Sequence, residues 1–250
     1  MQRLGRHSGR IKELRRRIRR RTEGEVVVDG RRLLADVVRW EIPVLELYVA
    51  AGLAGDPEVE RWAAVAGEAW QMEESLFAAV APTKSPQGVL AVVGEPQWPP
   101  WRAATGVAVW LDAVQDPGNL GAIVRAAAGL GAAAVLLSPG CADPFAPAAV
   151  RGSAAAVLRL PVEREVTAAR AADRVRTAGG EVWATGTAGV EVGRWSPATP
   201  TLLMLGAEGR GLDPATVALA DGTVSIPLGR GVESLNVAVA AGILLERLRR

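Results

Sequence analysis

The stretch that most constrains this chain lies near its end, Val224 to Leu245, reading VSIPLGRGVESLNVAVAAGILL. A short β-branched run, Val224 to Ile226, is stopped by Pro227, and a glycine-bracketed loop, Gly229 to Gly231, follows. Glu233, Ser234 and Asn236 then crowd the start of a long apolar helix. Ser234 is the expected N-cap, its oxygen accepting from an N–H that the first turn leaves unpaired. From Leu235 onward the helix is apolar almost all round, so it should be buried on more than one side. A polar loop delivered onto the positive end of such a helix is a good place to hold a ligand. A capped core helix behind an ordinary turn is the plainer reading of the same residues.

Composition narrows the chemistry. His7 is the only histidine and Cys141 the only cysteine. An internal disulfide and a multi-cysteine zinc site are therefore excluded, and with the lone histidine in the charged arm neither a histidine-based triad nor a multi-histidine metal site is expected, nor any metal. Acid–base work falls to arginine, lysine, carboxylates, hydroxyls or the substrate itself. No apolar run is long and clean enough for a membrane span. The basic start lacks the apolar stretch of a signal peptide, so a cytoplasmic protein is expected. The net charge of +2 conceals an asymmetry: Met1 to Arg21 holds ten Lys or Arg against one Glu, net +9, which leaves −7 for the rest. A basic arm on an acidic body points to a polyanionic partner met at one end.

The chain divides at Glu95 to Thr105 (EPQWPPWRAAT), where three prolines deny a helix and favour a semi-rigid linker. Residues 1–21 read as a basic arm, flexible to Ser8 and helical from Gly9, with Ile11, Leu14 and Ile18 on one stripe. Residues 22–94 read as a small βα module, 95–105 as the linker, and 106–250 as a second domain of alternating strands and helices. Strands are expected at Val107–Leu111, Ala133–Leu137, Val157–Leu160, Val182–Thr185, Leu202–Leu205 and Val224–Ile226. That alternation calls for a mainly parallel sheet covered on both faces, with ligands at the carboxyl ends of the strands.

Three polar, glycine-rich clusters each follow one of these strands. They are Asp116-Pro117-Gly118-Asn119-Leu120-Gly121 with Arg125 further into its helix, Leu205-Gly206-Ala207-Glu208-Gly209-Arg210-Gly211, and the closing stretch. All three should emerge at one edge of the sheet. There is no G-x-x-x-x-G-K-[ST], and the glycines of the second cluster invert the dinucleotide fingerprint.

Taken together, DPGNLGAIVR (Asp116 to Arg125), LLMLGAEGRGL (Leu202 to Leu212) and IPLGRGVESLNVAVAAGILL (Ile226 to Leu245) resemble the SpoU (TrmH-like) family of RNA ribose 2′-O-methyltransferases, of the SPOUT superfamily. RIKELRRRIRRR, VVVDG and SPQGVLAVV resemble, more weakly, that family's ribosomal-protein-like substrate-binding domain. The family usually has Glu where this chain has Asp29, and commonly Gly at the position of Ala155. The resemblance implies an α/β fold with a SPOUT-type parallel sheet, its last helix threaded into a deep trefoil knot, beside a small N-terminal α/β domain.

It further implies S-adenosylmethionine as cofactor, held by Leu205, Gly206, Glu208, Gly211, Ile226, Leu228, Ser234 and Leu235. Arg125, Asn119, Glu208, Ser234 and Asn236 would be the catalytic set. Arg125 would lie beside the ribose hydroxyl, as the base or as a stabiliser of developing oxyanion character. RNA, ribosomal rather than transfer, would be met by Arg15, Arg16, Arg17, Arg19, Arg20, Arg21 and Lys84, with Arg125 at the reacting ribose. A homodimer through the second domain is implied as well. Two rivals stand beside this reading: an RNA-binding homologue without transferase activity, and a nucleotide-dependent α/β enzyme of another class.

Overall fold

The structure is a computed structural model and describes residues 1–207 and 209–249. It contains two compact units: residues 1–96 with 145–155, and residues 97–144 with 156–250.

The first unit opens with β1 (Gln2–Leu4) and α1 (Gly9–Arg19), followed by β2 (Glu25–Asp29), α2 (Arg31–Arg39) and β3 (Val44–Ala50). α3 (Pro57–Val65), β4 (Glu68–Met72), α4 (Glu74–Val80) and β5 (Val89–Gly94) complete it up to the linker. The five strands form a mixed sheet in the order β1-β4-β3-β5-β2. Two parts of this differ from expectation. The first residues are not loose: Gln2–Leu4 pairs in parallel with Trp70–Met72. β4 itself has a weak signature, since EAWQM buries only Trp70 and Met72 and carries polar residues between and before them.

The arm helix is part of this unit's core. Ser8 caps it, accepting from the Arg10 amide at 3.3 Å, and its apolar stripe places Ile11 and Leu14 in a cluster with Tyr48, Trp70, Met72, Phe77 and Leu90. Burying two such side chains is worth roughly 1.5–3 kcal/mol each, which holds a helix whose other faces are charged.

The second unit runs β6 (Val107–Leu111), α5 (Pro117–Gly129) and β7 (Ala134–Leu137). The segment 145–155, with α6 (Pro147–Gly152), then groups with the first unit, where α6 packs on β2. The second unit resumes with β8 (Val162–Glu163), α7 (Ala168–Thr177), β9 (Glu181–Glu191), β10 (Thr201–Leu205), α8 (Pro214–Val217), β11 (Gly222–Ser225) and α9 (Val237–Leu248). Its sheet has the order β11-β9-β10-β6-β7-β8, and every described pairing is parallel. β6 and β10 are buried at all five positions, as uninterrupted apolar runs require when both faces are covered. The expected α/β fold with a parallel sheet is therefore present.

Two boundaries move. Ala156–Leu158 forms a 3-10 turn rather than a strand, and the strand is Val162–Glu163, beyond Pro161. The last helix starts at Val237, with Asn236 as N-cap, accepting from the Ala238 and Val239 amides at 2.9 and 3.3 Å. Ser234, the expected cap, is an exposed loop residue two positions earlier. Both residues can cap; the carboxamide of Asn236 is the one placed at the first turn.

Candidate active site

Because the sheet is wholly parallel, the segments after β6, β9, β10 and β11 leave from one edge. The first leads from Asp112 into α5. Asp116 caps that helix by accepting from the Asn119 amide at 2.7 Å, and Pro117 occupies its first position, where no N–H is missed. Asn119 is thereby set on the first turn of α5. Its side-chain oxygen accepts from the Asn236 amide group at 2.9 Å. Two N-terminal turns, 117 residues apart in sequence, are thus joined by their polar side chains, and α5 packs against α9 behind them.

The second segment closes on itself. The Gly211 amide donates to the Ala207 carbonyl at 2.9 Å. A Cβ at Gly206 would collide with the backbone of Gly211, so only glycine fits there. This loop also touches the first: the Asp112 amide donates to the Leu205 carbonyl at 2.9 Å, and Arg210 stands 3.7 Å from the Asp112 carboxylate. In the third segment Ile226 and Leu235 are half-buried, while Leu228 and Val232 are exposed large apolar side chains.

Among the expected site residues, then, Asn119 and Asn236 meet, and Leu205, Gly206 and Gly211 form the adjoining loop. Arg125 lies on the exposed side of α5 and makes no hydrogen bond or ion pair among the described residues. Glu208 lies outside the described residues.

Two features at this edge went unread in the sequence. β9 sits between β10 and β11, and between Ala184 and Val190 it makes a long bulge against β11. The bulge, Thr185 to Gly189, carries Gly186 and Gly189, where a side chain would strike Thr223. A glycine pair after a β-branched strand was the available signal. The other is Asp112, partly buried at the end of β6. Cys141 lies beside it, its thiol donating to the Leu111 carbonyl at 3.4 Å. Burial pushes that thiol up, which keeps it protonated and unreactive.

The basic arm is divided by the fold. Arg17 pairs with Glu25 at 2.9 Å and Glu46 at 2.8 Å, and Arg10 pairs with Glu68 at 2.6 Å over the Trp70 ring. Arg21 pairs with Glu95 and stacks over Phe145. Arg16 is exposed but paired with Glu13 at 2.5 Å. Arg15, Arg19, Arg20 and Lys84 face solvent, and the outward side of α1 lines an open cleft of about 940 Å³ with Arg6, Lys12 and Arg15 among its walls. No helix among the described residues is long and apolar enough to cross a membrane.

A parallel sheet whose carboxyl edge gathers three glycine-bearing loops, two of them tied by the Asn236–Asn119 hydrogen bond, is the α/β class in which ligands sit at the carboxyl ends of the strands. The chain belongs to the SpoU rRNA Methylase family, whose model matches residues 106–246. Residues 9–91 match the MRM3-like substrate binding domain. The chain is 36% identical over 184 residues to the 23S rRNA (guanosine(2553)-2'-O)-methyltransferase RlmP of Bacillus subtilis, covering 73% of each. It is 36% identical over 180 residues to a tRNA/rRNA methyltransferase of Synechocystis sp., covering 70% of this chain and 65% of that protein's length. Two solved structures have the same fold over nearly the whole chain. The AdoMet-bound rRNA methyltransferase of Sinorhizobium meliloti has a TM-score of 0.85 at 27% identity, covering 99% of this chain and 97% of the other. The SpoU methyltransferase AviRb of Streptomyces viridochromogenes, in complex with AdoMet, has 0.84 at 29% identity, covering 97% and 98%.

Proposed function

We propose that this protein transfers the methyl group of S-adenosylmethionine to a ribose 2′-hydroxyl of RNA, ribosomal RNA in particular, in the cytoplasm. The observation that carries the reading is the Asn236–Asn119 hydrogen bond, which unites the first and third clusters beside the Gly206 loop. Support comes from RlmP, whose name specifies 2′-O-methylation of 23S rRNA, and from AdoMet in the two solved structures.

The residues present suit such a cofactor. Ile226, Leu228 and Leu235 offer apolar surface for an adenine ring, and the bulge Thr185–Gly189 adds a wall between the two loops. The backbone of Leu205, Gly206 and Gly211 offers fixed donors and acceptors, and Ser234 and Glu208 complete the set. Bound there, the sulfonium supplies an already activated methyl group.

What remains is positioning, exclusion of water and management of one proton. Asn119 and Asn236 hold each other and the two helix starts, so the reacting hydroxyl meets a preorganised wall. Arg125 stabilises negative charge developing on that oxygen, a role a guanidinium fills better than proton removal, because it resists deprotonation; as the methyl leaves sulfur for oxygen, the hydroxyl proton is released to bulk water. Ser234 and Glu208 orient the ribose.

Threading of α9 into a trefoil knot, which is very rare in proteins at large, belongs to the same reading. So does a homodimer, for which Val239 and Ile243 form an exposed apolar stripe on α9 beside Gly242. RNA is held by the outward side of α1, through Arg15, Arg19 and Arg20, and by Lys84, while Arg17 and Arg21 keep the helix docked.

Replacing Arg125 with alanine tests the assignment. Calorimetry should show S-adenosylmethionine affinity within a few-fold of wild type, while methyl transfer to ribosomal RNA, followed with labelled cofactor, falls at least a hundredfold, about 2.7 kcal/mol of transition-state stabilisation. Full turnover by the variant removes Arg125 from the mechanism.

A further inference from the structure

We propose that Asp112 is a positioning residue that latches the Gly206–Gly211 loop in place through Arg210; this rests on the methyl-transfer reading above. β10, β6 and β7 are neighbours in the sheet, and a polar relay crosses their carboxyl ends. Ser138, directly after β7, is 5% exposed. Its hydroxyl oxygen accepts from the Ala113 amide at 2.9 Å and lies 3.2 Å from Asp112 Oδ1 and 3.1 Å from the Pro139 carbonyl, either of which can take its proton. Asp112 is tied on the other side as well, its amide donating to the Leu205 carbonyl. The carboxylate therefore has little freedom. Oδ2 is turned to Arg210, at 3.7 Å, and the two side chains are 16% and 69% exposed.

A mostly buried carboxylate needs a partner for its charge, and the cation offered, Arg210, lies between the exposed Gly209 and Gly211. The base of the Gly206–Gly211 loop is closed by the Gly211–Ala207 hydrogen bond, and its entry is fixed because only glycine fits at 206. What fixes the tip, among the described contacts, is the pull of Asp112 on Arg210. Since the backbone of this loop is the part assigned to the cofactor, holding the tip preorganises the cofactor site. An ion pair this exposed on one side contributes modestly, so the effect sought is a several-fold one.

The variants separate the two halves of the relay. Asp112→Asn keeps an acceptor for Ser138 and removes the charge; Arg210→Met keeps the apolar stem and removes the cation. Calorimetry with S-adenosylmethionine should show each single variant binding about fivefold more weakly, ~1 kcal/mol at 1.4 kcal/mol per tenfold. The double variant should bind no more weakly than either, as for two residues acting through one contact. Arg210→Lys should restore affinity to within about twofold, since a point charge suffices at this separation. The thermal midpoint should stay within about 2 °C, and amide exchange at 209–211 should quicken in each charge-removing variant.

Unchanged affinity in Asp112→Asn, losses that multiply in the double variant, or an affinity loss that tracks a fall in melting temperature would each overturn the latch. Should the wild-type protein bind no S-adenosylmethionine, the functional reading fails instead, and the exchange rates at 209–211 alone decide whether Asp112 holds the loop.

Discussion

At the scale of the residue, three alanines, Ala113, Ala154 and Ala155, sit where glycine is the natural choice, and the first and last make an instructive pair. Ala113 and Ala155 have φ of 49° and 61°, in the left-handed region that costs an L-residue roughly 1–2 kcal/mol. Ala155 was legible beforehand as a departure from its family, which commonly has glycine there. Ala113 was not, because its conformation is imposed from outside by the Ser138 hydroxyl on its amide. The two substitutions should behave differently. Ala113 is half-exposed, so Ala113→Gly relieves the backbone and gives up little burial. Set against about 0.4–1 kcal/mol for the freer unfolded chain, a gain of ~0.5–1 kcal/mol is expected. Ala155 is wholly buried, and losing its methyl costs about 0.8 kcal/mol, so Ala155→Gly should come out near neutral. Urea unfolding of the two variants checks the pair; equal shifts would mean that burial does not separate them.

At the scale of the element, period and punctuation located most strands and helices, and the misses share a cause. The run Val157–Leu160 is apolar but for Arg159 and ends at Pro161, so it imitates a strand; the chain instead turns there, and only Val162–Glu163 pairs with β7. β8 is short, yet Glu163 gives it consequence. Its carboxylate accepts from both terminal guanidinium nitrogens of Arg174, at 2.7 and 2.8 Å, and also from the Trp101 amide at 3.2 Å, pinning the proline-rich linker to α7. No local sequence signal marks such a contact, whose members are 11 and 62 residues apart. The hydrogen bond from Arg174 holds the Glu163 carboxyl below its ordinary value of 4.5. A lowered folded-state value stabilises the fold above about pH 4.5 and loses that stabilisation as the pH falls through the folded value. Glu163→Gln should therefore destabilise the second unit at pH 7 but bring the variant and wild-type curves together at the acid end. Fluorescence-monitored unfolding at a series of pH values reads this directly, and a gap that stays constant from pH 7 to pH 3 would show that the ion pair is not its source.

At the scale of the whole molecule, the three clusters were readable because each carries its own punctuation, and a parallel sheet leaves them one edge to share. The grouping of 145–155 with the first unit was not readable, since nothing in PAAVRG names β2 as its neighbour. The arm lay between these extremes. Its charge was evident, but charge alone does not say which arginines are committed inward. Of its basic residues, Arg10, Arg17 and Arg21 are held by Glu46, Glu68, Glu25 and Glu95 of the same unit, so the net +9 overstates what the arm can offer to phosphate. The outward residues should set the salt dependence of RNA binding, at a slope of about −0.7 to −0.9 per phosphate neutralised. Replacing Arg15, Arg19 and Arg20 together with alanine should flatten the slope of log K against log salt by about 2 to 3, measured by anisotropy on a structured ribosomal RNA fragment. Arg17→Ala should leave that slope unchanged and lower the melting temperature instead, because it removes the cation paired with Glu25 and leaves Glu46 with Arg10 alone, in a partly buried setting. If Arg17→Ala flattens the slope as much per residue as the outward substitutions do, the inward pairs give way to RNA on binding, and the division of the arm that the fold imposes does not survive in the complex.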